Sequence, residues 1–311
     1  MTPCEVRMEQ SRPFISIIIP TYERAAQLSD CLGALTTQDY PRECFEVLVV
    51  DDGSVASSEC SVEPFQHQLN VRLLKQRHSG PAAARNYGAA HAKGSFLAFT
   101  DDDCEPAPDW LENLAKGFLL FPGCALGGRT VNKLANNPYS AVSQLISDYL
   151  YARWNPDPKQ AAFLISNNFA VPVKCFQSVG GFDVCWTTAA GEDRDLCDRL
   201  IARGYRLIYT PEALVAHAHP LTFRTFWRQH FNYGRGAYRL HQLRAQRKMR
   251  RFAFEPVLFY LKMCVYPFDR TRGREAAIFV VLVAIAQAAN AAGWIAGSLE
   301  YSARPSEGGQ G

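Results

Sequence analysis

The stretch SFLAFTDDDC, residues 95–104, joins an apolar, strand-like run directly to three consecutive aspartates, Asp101, Asp102 and Asp103. A short apolar and aromatic run that ends in a polar cluster is typical of a buried strand. In open α/β sheets, ligands bind outside the carboxyl ends of the strands. The stretch therefore predicts a strand over residues 95–100 and a ligand site immediately after it.

The same arrangement occurs twice upstream. ISIII, residues 15–19, is followed by Pro20 and by TYER at residues 21–24. FEVLVV, residues 45–50, is followed by DDGS at residues 51–54. Strands that alternate with helices favour a parallel sheet with right-handed crossovers. We therefore expect an α/β fold with a doubly wound, mostly parallel sheet.

Further patterns complete this expectation. Alanine-rich or amphipathic spacing predicts helices, one of them beginning at Pro81, and short apolar runs predict further strands. The predicted helices cover residues 24–35, 80–92, 111–121 and 193–203, and the further strands cover residues 71–75, 161–171, 205–209 and 213–216.

Five aspartates follow the predicted strands: two at residues 51–52 and three at residues 101–103. Burying so many like charges without a counter-ion is strongly unfavourable, so a cation is the natural partner. An all-oxygen ligand set favours Mg²⁺ or Mn²⁺ over zinc. A divalent metal, Mn²⁺ or Mg²⁺, is therefore the expected cofactor.

Composition excludes several other classes of protein. Of the 311 residues, 48% are hydrophobic and 20% charged, which suits a large folded core and excludes general disorder. The ten cysteines include no C-x-x-C pair, which argues against zinc-ribbon and thioredoxin-type sites and favours buried thiols in a reducing compartment. Residues 1–13 lack the apolar core of a signal peptide and are expected to be flexible.

The charge is uneven along the chain. Residues 213–254 contain nine basic residues and no acidic one, which leaves a net charge of −6 for the remainder. Such a block suits a solvated helix face, a contact with an anionic membrane or a site for phosphorylated ligands. Nucleic-acid binding is not expected, because no aromatic stacking motif accompanies the block.

The last third of the chain is expected to be a separate helical tail. Residues 276–299 carry no formal charge, and about 20 apolar residues suffice to cross a bilayer. Three arginines precede them, which would leave the preceding domain in the cytoplasm; a buried helix is the alternative. We therefore divide the chain into a catalytic domain over residues 14–220, a basic then apolar tail over residues 221–300 and a disordered end over residues 301–311.

Six collinear stretches together resemble the family 2 glycosyltransferases of the GT-A fold, over about two-thirds of the chain. Each stretch lies at the strand or helix end where this family carries its motif. They are SIIIPTYER (16–24), EVLVVDDGS (46–54), GPAAARNYGAAHAKGSFLAFTDDDC (80–104), NNFAVPVKCFQSVGGFD (167–183), GEDRDLCDRL (191–200) and His217.

The resemblance implies transfer of a sugar from a nucleotide diphosphate sugar, with inversion at the anomeric carbon. It places Pro20, Tyr22 and Glu23 in the loop that holds the nucleotide. Tyr22 would stack on the base, Asp52 would contact the base edge or ribose, and Arg85 would lie on a helix near the nucleotide. Glu23 departs from the family pattern, in which T-Y-N-R is usual at this point, and this puts the identity of the base in doubt.

The resemblance also assigns the reacting groups. Asp101 and Asp103 match the D-x-D pair, with Asp103 as the more direct metal ligand, and Asp102 as a contact to the ribose. His217 matches a position that joins the metal or pyrophosphate site. Asp193 matches the catalytic base.

Glu192 lies beside this base, and the start of a helix is expected to keep Asp193 ionised. A UDP-sugar is the expected donor, and a glycan or lipid-linked hydroxyl the expected acceptor. Polysaccharide or glycolipid assembly in the cytoplasm, or on the cytoplasmic face of a membrane that the tail contacts, is the expected setting.

Three other classes of protein fit the sequence less well. A nucleotidyltransferase would need a glycine-rich loop after its first strand, and residues 20–24 contain no glycine. A phosphoacceptor receiver domain would be shorter and would carry an acidic pair at that point. A non-catalytic nucleotide-sugar-binding or scaffold protein of the same fold remains the alternative, although such a protein would be expected to lose Asp103 or Asp193.

Overall fold

The computed structural model describes residues 12–186, 190–249 and 255–302. The predicted flexible start, residues 1–13, and the predicted disordered end, residues 301–311, lie largely outside these ranges. The chain divides into two compact units. The first comprises Met1–Lys133 and Trp154–Ala218, and the second comprises Leu134–Arg153 and His219–Gly311.

The first unit is built on one eight-stranded sheet, with the strand order β3-β2-β1-β4-β7-β6-β8-β5. The strands are β1 (Ile15–Thr21), β2 (Phe45–Asp51), β3 (Val71–Lys75), β4 (Phe96–Thr100), β5 (Cys104–Pro106), β6 (Ala125–Asn132), β7 (Asn168–Pro172) and β8 (Leu207–His217).

Four neighbouring strands, β3, β2, β1 and β4, are all parallel. Their carboxyl ends therefore meet at one edge of the sheet, which brings together the polar segments that follow β1, β2 and β4. Beyond β4 the sheet is mixed: β7 is antiparallel to both β4 and β6, β8 is parallel to β6, and β5 is antiparallel to β8. The predicted α/β fold is confirmed, with antiparallel strands added on one side.

Helices cover this sheet, and apolar side chains from both fill the core. Ile15, Ile17, Val47 and Val49 are fully buried there. The helices of the first unit are α1 (Ala25–Leu35), α2 (Glu59–Val62), α3 (Pro81–His91), α4 (Trp110–Leu120), α6 (Val173–Ser178) and α7 (Glu192–Ala202), with 3₁₀ turns at Arg42–Cys44, Glu63–Phe65 and Pro158–Gln160.

One predicted strand is much shorter than expected. Of residues 161–171, only those from Asn168 onward pair in the sheet, as β7. The preceding backbone bonds instead to the buried side chain of Asn155: its Oδ1 accepts from the amides of Ala162 and Phe163, and its Nδ2 donates to the Phe163 carbonyl. A side chain thus satisfies polar groups that a neighbouring strand would otherwise have to pair.

The two short strands predicted over residues 205–209 and 213–216 are one strand, β8. Its pairing with β6 shifts register between Gly128 and Arg129. At this irregularity the Asn168 side chain donates to the carbonyls of Arg129 and Ala213. The intervening polar residues interrupt the apolar pattern without ending the strand, because the bulge absorbs them.

The second unit is helical in its described residues. Its helices are α5 (Pro138–Trp154), of which all but the last residue belong to this unit, α8 (Phe223–Gln246), α9 (Val257–Val265) and α10 (Gly273–Ser302), with a 3₁₀ turn at Tyr266–Asp269. A capping box formed by Thr222 and Thr225 begins α8. In length and composition α10 could cross a membrane.

Candidate active site at the carboxyl edge of the sheet

The three aspartates after β4 lie where the sequence predicts, at the carboxyl edge of the parallel strands. The Asp102 carboxylate is buried and accepts hydrogen bonds from Thr21 Oγ1 at 2.8 Å and from Arg24 at 3.1 Å. Arg24 also donates to Asp103 Oδ2 at 2.9 Å. One guanidinium therefore bridges two of the three carboxylates.

Burial governs the protonation of Asp102. Removal from water raises its pKa to about 7, and the neighbouring Asp103 acts in the same direction, whereas Arg24 and Thr21 oppose the rise. Asp102 is therefore poised to gain or lose a proton near neutral pH. Because this carboxylate is enclosed by Thr21 and Arg24, its predicted contact with a ribose stays a prediction.

Asp103 pairs with His217, which lies at the end of β8. Pairing of β5 with β8 sets Cys104 opposite His217, and the Asp103 carbonyl accepts from the Ala218 amide at 2.8 Å. Asp103 Oδ1 then lies 3.1 Å from His217 Nε2. Burial lowers the pKa of His217, but the hydrogen bond and charge of Asp103 outweigh this effect and raise it. Distant segments of the chain thus form an aspartate–histidine pair.

Asp101 belongs to a second ion-pair group, which is centred on Arg85. The guanidinium, on α3, donates to Asp101 Oδ1 at 2.7 Å and to Glu192 Oε1 at 3.1 Å. Arg85 is only 2% exposed and lies over the Phe182 ring, 5.4 Å from its centre. The side chain therefore joins the aspartate loop to the start of α7.

Glu192 and Asp193 occupy the first turn of α7, after Gly191 in a left-handed conformation with φ of 119°. Such a φ favours glycine because it has no Cβ. Glu192 Oε2 accepts from the amides of Ala190 and Gly191 at 2.9 and 3.1 Å. Asp193 Oδ1 accepts from the Arg194 amide at 2.7 Å.

Burial raises the pKa of both carboxyls at the start of α7. For Glu192 the neighbouring Asp193 adds to the rise, while the charge of Arg85 opposes it. For Asp193 the charge and amide of Arg194 oppose the rise without cancelling it. The sequence predicts an Asp193 kept ionised by the helix start; the structure adds an opposing effect, because desolvation favours the neutral acid. A proton on Asp193 is therefore held more tightly than on an exposed aspartate.

Arg194 is itself held in place by aromatic rings. Its guanidinium lies 4.4 Å from the centre of the Trp154 ring and 4.8 Å from that of Phe163. The two rings meet edge to face. These contacts fix the residue that follows Asp193, and with it the first turn of α7.

Asp52, at the end of β2, is buried against the loop over residues 76–80. Its carboxylate accepts from Gln76 Nε2 at 2.6 Å and from the amides of Ser79 and Gly80 at 2.9 and 2.8 Å. His78 Nδ1 lies 3.0 Å from its Oδ2. Asp52 therefore holds this loop against the end of β2, and its predicted contact with a base or ribose stays a prediction.

The neighbouring Asp51 has a local role. Burial acts to raise its pKa, but hydrogen bonds from Ser54 and Ser58 outweigh burial and lower it. The Ser54 amide donates to Asp51 Oδ1 at 2.8 Å and the Ser58 hydroxyl to Oδ2 at 2.7 Å. Asp51 therefore stabilises the turn that follows β2.

Tyr22 is 43% exposed and lies beside His78, with the two ring centres 4.2 Å apart. Glu23 has a φ of 56°, and its Oε1 accepts from the Val55 amide at 2.6 Å. Its own amide donates to Ser54 Oγ. The carboxylate that departs from the family pattern thus connects the loop after β1 to the loop after β2.

Pro20 lies within β1, opposite Val50 of β2. It therefore belongs to the strand itself, and its predicted role in binding the nucleotide stays a prediction.

The expectation of a metal rests on unbalanced acidic charge, and the structure shows that protein cations supply part of that balance. Arg24 and Arg85 contact all three aspartates. The remaining argument for a divalent ion is the donor set. A carboxylate and an imidazole, Asp103 and His217, lie within reach of one ion, and these groups are ligands that Mn²⁺ accepts. The residues present therefore fit the expected cofactor.

The sequence predicted these acids together with Arg85 and His217, but it did not predict the contacts made by Arg24, Gln76 and His78. Arg24 is the last residue of the TYER stretch at residues 21–24, where the local pattern indicates no role for it. The available signal was its place in the sequence. Arg24 follows Thr21, the last residue of β1, by three residues, and β1 lies parallel to β4, so the segments after both strands reach the same edge of the sheet. His78 and Gln76 carried no comparable signal, because nothing local relates them to Asp52.

Comparisons with known proteins bear on the family and the fold of this chain. Residues 16–180 match the family model described as Glycosyl transferase family 2. Pre-mycofactocin glycosyltransferase from Mycobacterium tuberculosis is 34% identical over 229 residues, which cover 72% of this chain and 46% of that protein. The present chain thus spans about half the length of that relative.

Two solved structures share the fold. The mannosyltransferase PcManGT from Pyrobaculum calidifontis, in complex with GDP-Man and Mn²⁺, superposes with a TM-score of 0.63 at 21% identity, covering 94% of this chain and 88% of that one. S. aureus TarS 1-349 in complex with UDP-GlcNAc gives 0.53 at 16% identity, covering 93% and 91%. Together with the family match over residues 16–180, this likeness shows that the chain belongs to glycosyl transferase family 2 and has the GT-A fold.

Proposed function

We propose that the protein is a metal-dependent, inverting glycosyltransferase that moves a sugar from a nucleotide diphosphate sugar to a hydroxyl group of an acceptor. One observation carries the proposal. Arg85 joins Asp101, of the aspartate loop, to Glu192, which stands next to Asp193. The groups suited to the diphosphate and the group suited to the acceptor therefore lie on either side of a single buried guanidinium.

Asp193 acts as the general base in this proposal. Its carboxylate takes the proton of the acceptor hydroxyl while the hydroxyl oxygen forms a bond to the anomeric carbon. The bond from that carbon to the diphosphate oxygen breaks on the opposite face, so that the configuration inverts and the nucleoside diphosphate leaves. Positioned proton transfer of this kind typically contributes about 10²–10⁴-fold to the rate. The raised pKa of Asp193 suits a base that must accept a proton near neutral pH.

Asp101, Asp103 and His217 would hold the divalent ion, Mn²⁺ or Mg²⁺. When bound, the ion supplies positive charge against the charge that develops on the diphosphate. Arg24 and Arg85 add fixed positive charge from the protein at the same edge, each within hydrogen-bonding distance of the aspartate loop. Glu192 keeps Arg85 in place between the two halves of the site.

The donor is a nucleoside diphosphate sugar, and a UDP-sugar is our specific proposal. Tyr22 offers a half-exposed ring on which a base can stack, next to the loop held by Asp52. The two structural neighbours are complexes with GDP-Man and UDP-GlcNAc, which supports the donor class.

The acceptor in this proposal is a hydroxyl of a glycan or of a lipid-linked sugar, in polysaccharide or glycolipid assembly. The basic block and α10 support a membrane setting, and we propose the cytoplasmic face, with the first unit in the cytoplasm, because its anionic lipids attract basic segments. The catalytic domain is proposed to end near residue 220, where the helical tail begins.

Calorimetric titration tests the donor site directly. The full chain is titrated with UDP, GDP, dTDP and CDP, each with and without Mn²⁺, together with the variant Asp103→Ala. We expect one nucleotide to bind in a Mn²⁺-dependent manner and Asp103→Ala to lose most of that binding. The matched control is Asp109→Ala, because Asp109 is an exposed aspartate whose side chain caps no helix.

The alternative is a non-catalytic protein of the same fold, and substitution of Asp193 distinguishes it from an enzyme. Such a protein would bind a nucleotide equally well with and without Asp193→Asn, and no release of nucleoside diphosphate from its sugar donor would depend on that residue. Failure of all four nucleotides to bind in both conditions would remove the support for the enzyme.

A further inference from the structure

The helices of the second unit expose apolar side chains on faces that a water-soluble helix would leave polar. On α9, Phe259 and Met263 are buried, while Leu258, Leu261 and Val265 on another face are each more than half exposed. These exposed positions follow an i, i+3, i+7 spacing, so they form one stripe along the helix. Apart from Lys262, which is exposed beside the stripe, both faces of α9 are thus apolar, and the stripe suits an apolar partner.

The same holds for α10. Its exposed positions from residue 277 to residue 299 recur every three or four residues and carry no charge. They are Ala277, Ile278, Val281, Ala284, Ala288, Ala291, Ile295 and Leu299. At 1.5 Å per residue this stripe is about 30 Å long. An exposed apolar strip of this length exceeds what isolated surface residues explain.

The opposite side of α10 is packed against α8 at very short range. A Cβ on Gly234 of α8 would lie 2.0 Å from the Asn290 carbonyl oxygen, and a Cβ on Gly293 would lie 1.9 Å from that of Phe231. Arg235 of α8 forms an ion pair with Glu300 at 2.8 Å. Because their backbones touch, α8 and the second half of α10 must share one environment.

That environment is not the interior of a bilayer. Within its 24 residues α8 carries five arginines, among them Arg235 and Arg239, and arginine at the centre of a membrane helix is strongly disfavoured. A crossing α10 would draw α8 into the hydrocarbon layer. The two helices therefore lie along a surface, although α10 has the length and composition of a spanning helix.

Charge indicates which surface. Residues 219–302 contain thirteen basic and four acidic residues, a net charge of +9, against −6 for the rest of the chain. At the start of α8, exposed Phe223 and Trp227 alternate with exposed Arg224 and Arg228. Aromatic rings interleaved with basic side chains are typical of helices at a lipid–water interface. A second copy of this chain would bring the same positive charge and would be repelled.

We propose that the second unit docks on an anionic lipid surface through the exposed apolar stripes of α9 and α10, with both helices lying in the plane of the membrane. This inference deepens the membrane contact included in the proposed function and rests on that function only for its biological use. The exposed arginines of the second unit contact the lipid headgroups in this arrangement: Arg224, Arg228 and Arg235 of α8, and Arg270, Arg272 and Arg274.

Vesicle flotation of the full chain tests the docking. We expect strong binding to vesicles of phosphatidylcholine with phosphatidylglycerol, weak binding to phosphatidylcholine alone, and weakening by salt. Leu258→Glu combined with Leu261→Glu should reduce the apparent affinity at least about tenfold, because two apolar side chains are lost from the lipid contact. The matched control is Leu119→Glu with Leu120→Glu, two exposed leucines of the first unit.

A second variant tests the charge independently of the apolar face. Arg224→Gln with Arg228→Gln should weaken binding to anionic vesicles about tenfold and leave the weak binding to neutral vesicles unchanged. Equal binding to both vesicle types, or equal losses in the leucine variant and its control, would overturn the proposal. So would a dimer in gel filtration whose formation blocks vesicle binding.

Extraction of cell membranes separates lying on the membrane from crossing it. We expect alkaline carbonate to release the full chain, whereas retention until detergent is added would show a spanning helix and refute the in-plane arrangement. Calorimetric binding of the nucleotide to the same variants keeps the two proposals apart. If vesicle binding is absent while nucleotide binding is retained, only the docking proposal is contradicted. If vesicle binding is retained while nucleotide binding is absent, only the proposed donor site is contradicted.

Discussion

Replacing Arg85 by methionine tests the central connection of the site. Arg85→Met keeps the length and apolar part of the side chain and removes the charge that lies between Asp101 and Glu192. Removing one partner of a buried ion pair commonly costs about 3–5 kcal/mol, because the other charge is left uncompensated. Only Glu192 is fully enclosed, whereas the Asp101 side chain is 28% exposed and can turn to water. The lower end of the range therefore applies.

A second effect reduces this cost. Arg85 Nε is buried and has no hydrogen-bond partner among the described residues, so the substitution also removes a polar group that is costly to bury, an effect of about 1 kcal/mol or more. The net loss expected at pH 7.5 is about 2 kcal/mol. For a unit of roughly 200 residues, a loss of this size lowers Tm by about 4–8 °C.

The loss should depend on pH in one direction. The charge of Arg85 opposes the burial-driven rise in the pKa of Glu192, so that pKa rises further in Arg85→Met. A carboxyl whose folded pKa lies above its unfolded value destabilises the fold as the pH rises, and protonation relieves the cost as the pH falls. The difference in Tm between wild type and variant should therefore shrink from pH 8 to pH 5.

Differential scanning calorimetry over this pH range measures the effect. Lys116→Met is the matched control, because Lys116 forms an exposed helix-surface pair with Glu112 at 3.7 Å and should change Tm little. Glu192→Gln introduced into Arg85→Met should recover much of the lost stability. A variant whose Tm matches that of Lys116→Met at pH 7.5, or whose loss is the same at pH 5 and pH 8, would refute the reasoning.

Three other outcomes are expected. Asp193→Asn should lower kcat about 10²–10⁴-fold and leave the nucleotide affinity measured by calorimetry unchanged. In the wild type, kcat/KM should fall at low pH with an apparent pKa above the range of an exposed aspartate, because burial raises the pKa of Asp193. Burial lowers the pKa of His230 to about 4, so the fold has the full stability of a neutral His230 only above about pH 6.5. Lowering the pH to 5 should reduce the free energy of unfolding of the wild type by about 2 kcal/mol, as measured by calorimetry, and His230→Gln should not show this loss. Gly234→Ala should lower Tm by several degrees because its Cβ would meet the Asn290 carbonyl, whereas Gly33→Ala, in open space on a helix, should raise it slightly.

The strands were predictable where burial was continuous. Residues 15–19, 45–50 and 95–100 are largely apolar because β1, β2 and β4 are covered on both faces, and that pattern is visible in a sequence despite the polar residues Ser16, Glu46, Ser95 and Thr100. Residues 161–165 are also apolar, yet they form no strand. The Asn155 side chain bonds to the backbone of Ala162 and Phe163, and a local apolar pattern carries no information about such a side chain.

The antiparallel half of the sheet was not predictable in this way. An apolar run shows that a strand is buried but not which strand lies beside it or in which direction. The direction of β7 and the register shift of β8 depend on long-range pairing with β6, and on the side chain of Asn168 between them. Only the folded chain specifies those neighbours.

The sequence alone determined the local features of the proposed site: which acids follow which strands, where α7 begins, and that residue 217 lies at the end of the last strand. These features are local, because strand ends, glycine turns and helix starts are set by a few adjacent residues. Tertiary structure decided the charge balance. Arg24, Arg85 and His217 come from three separate elements, and their contacts with the aspartates, like the raised pKa values at Asp102 and Asp193, arise because folding brings distant charges together and excludes water from them.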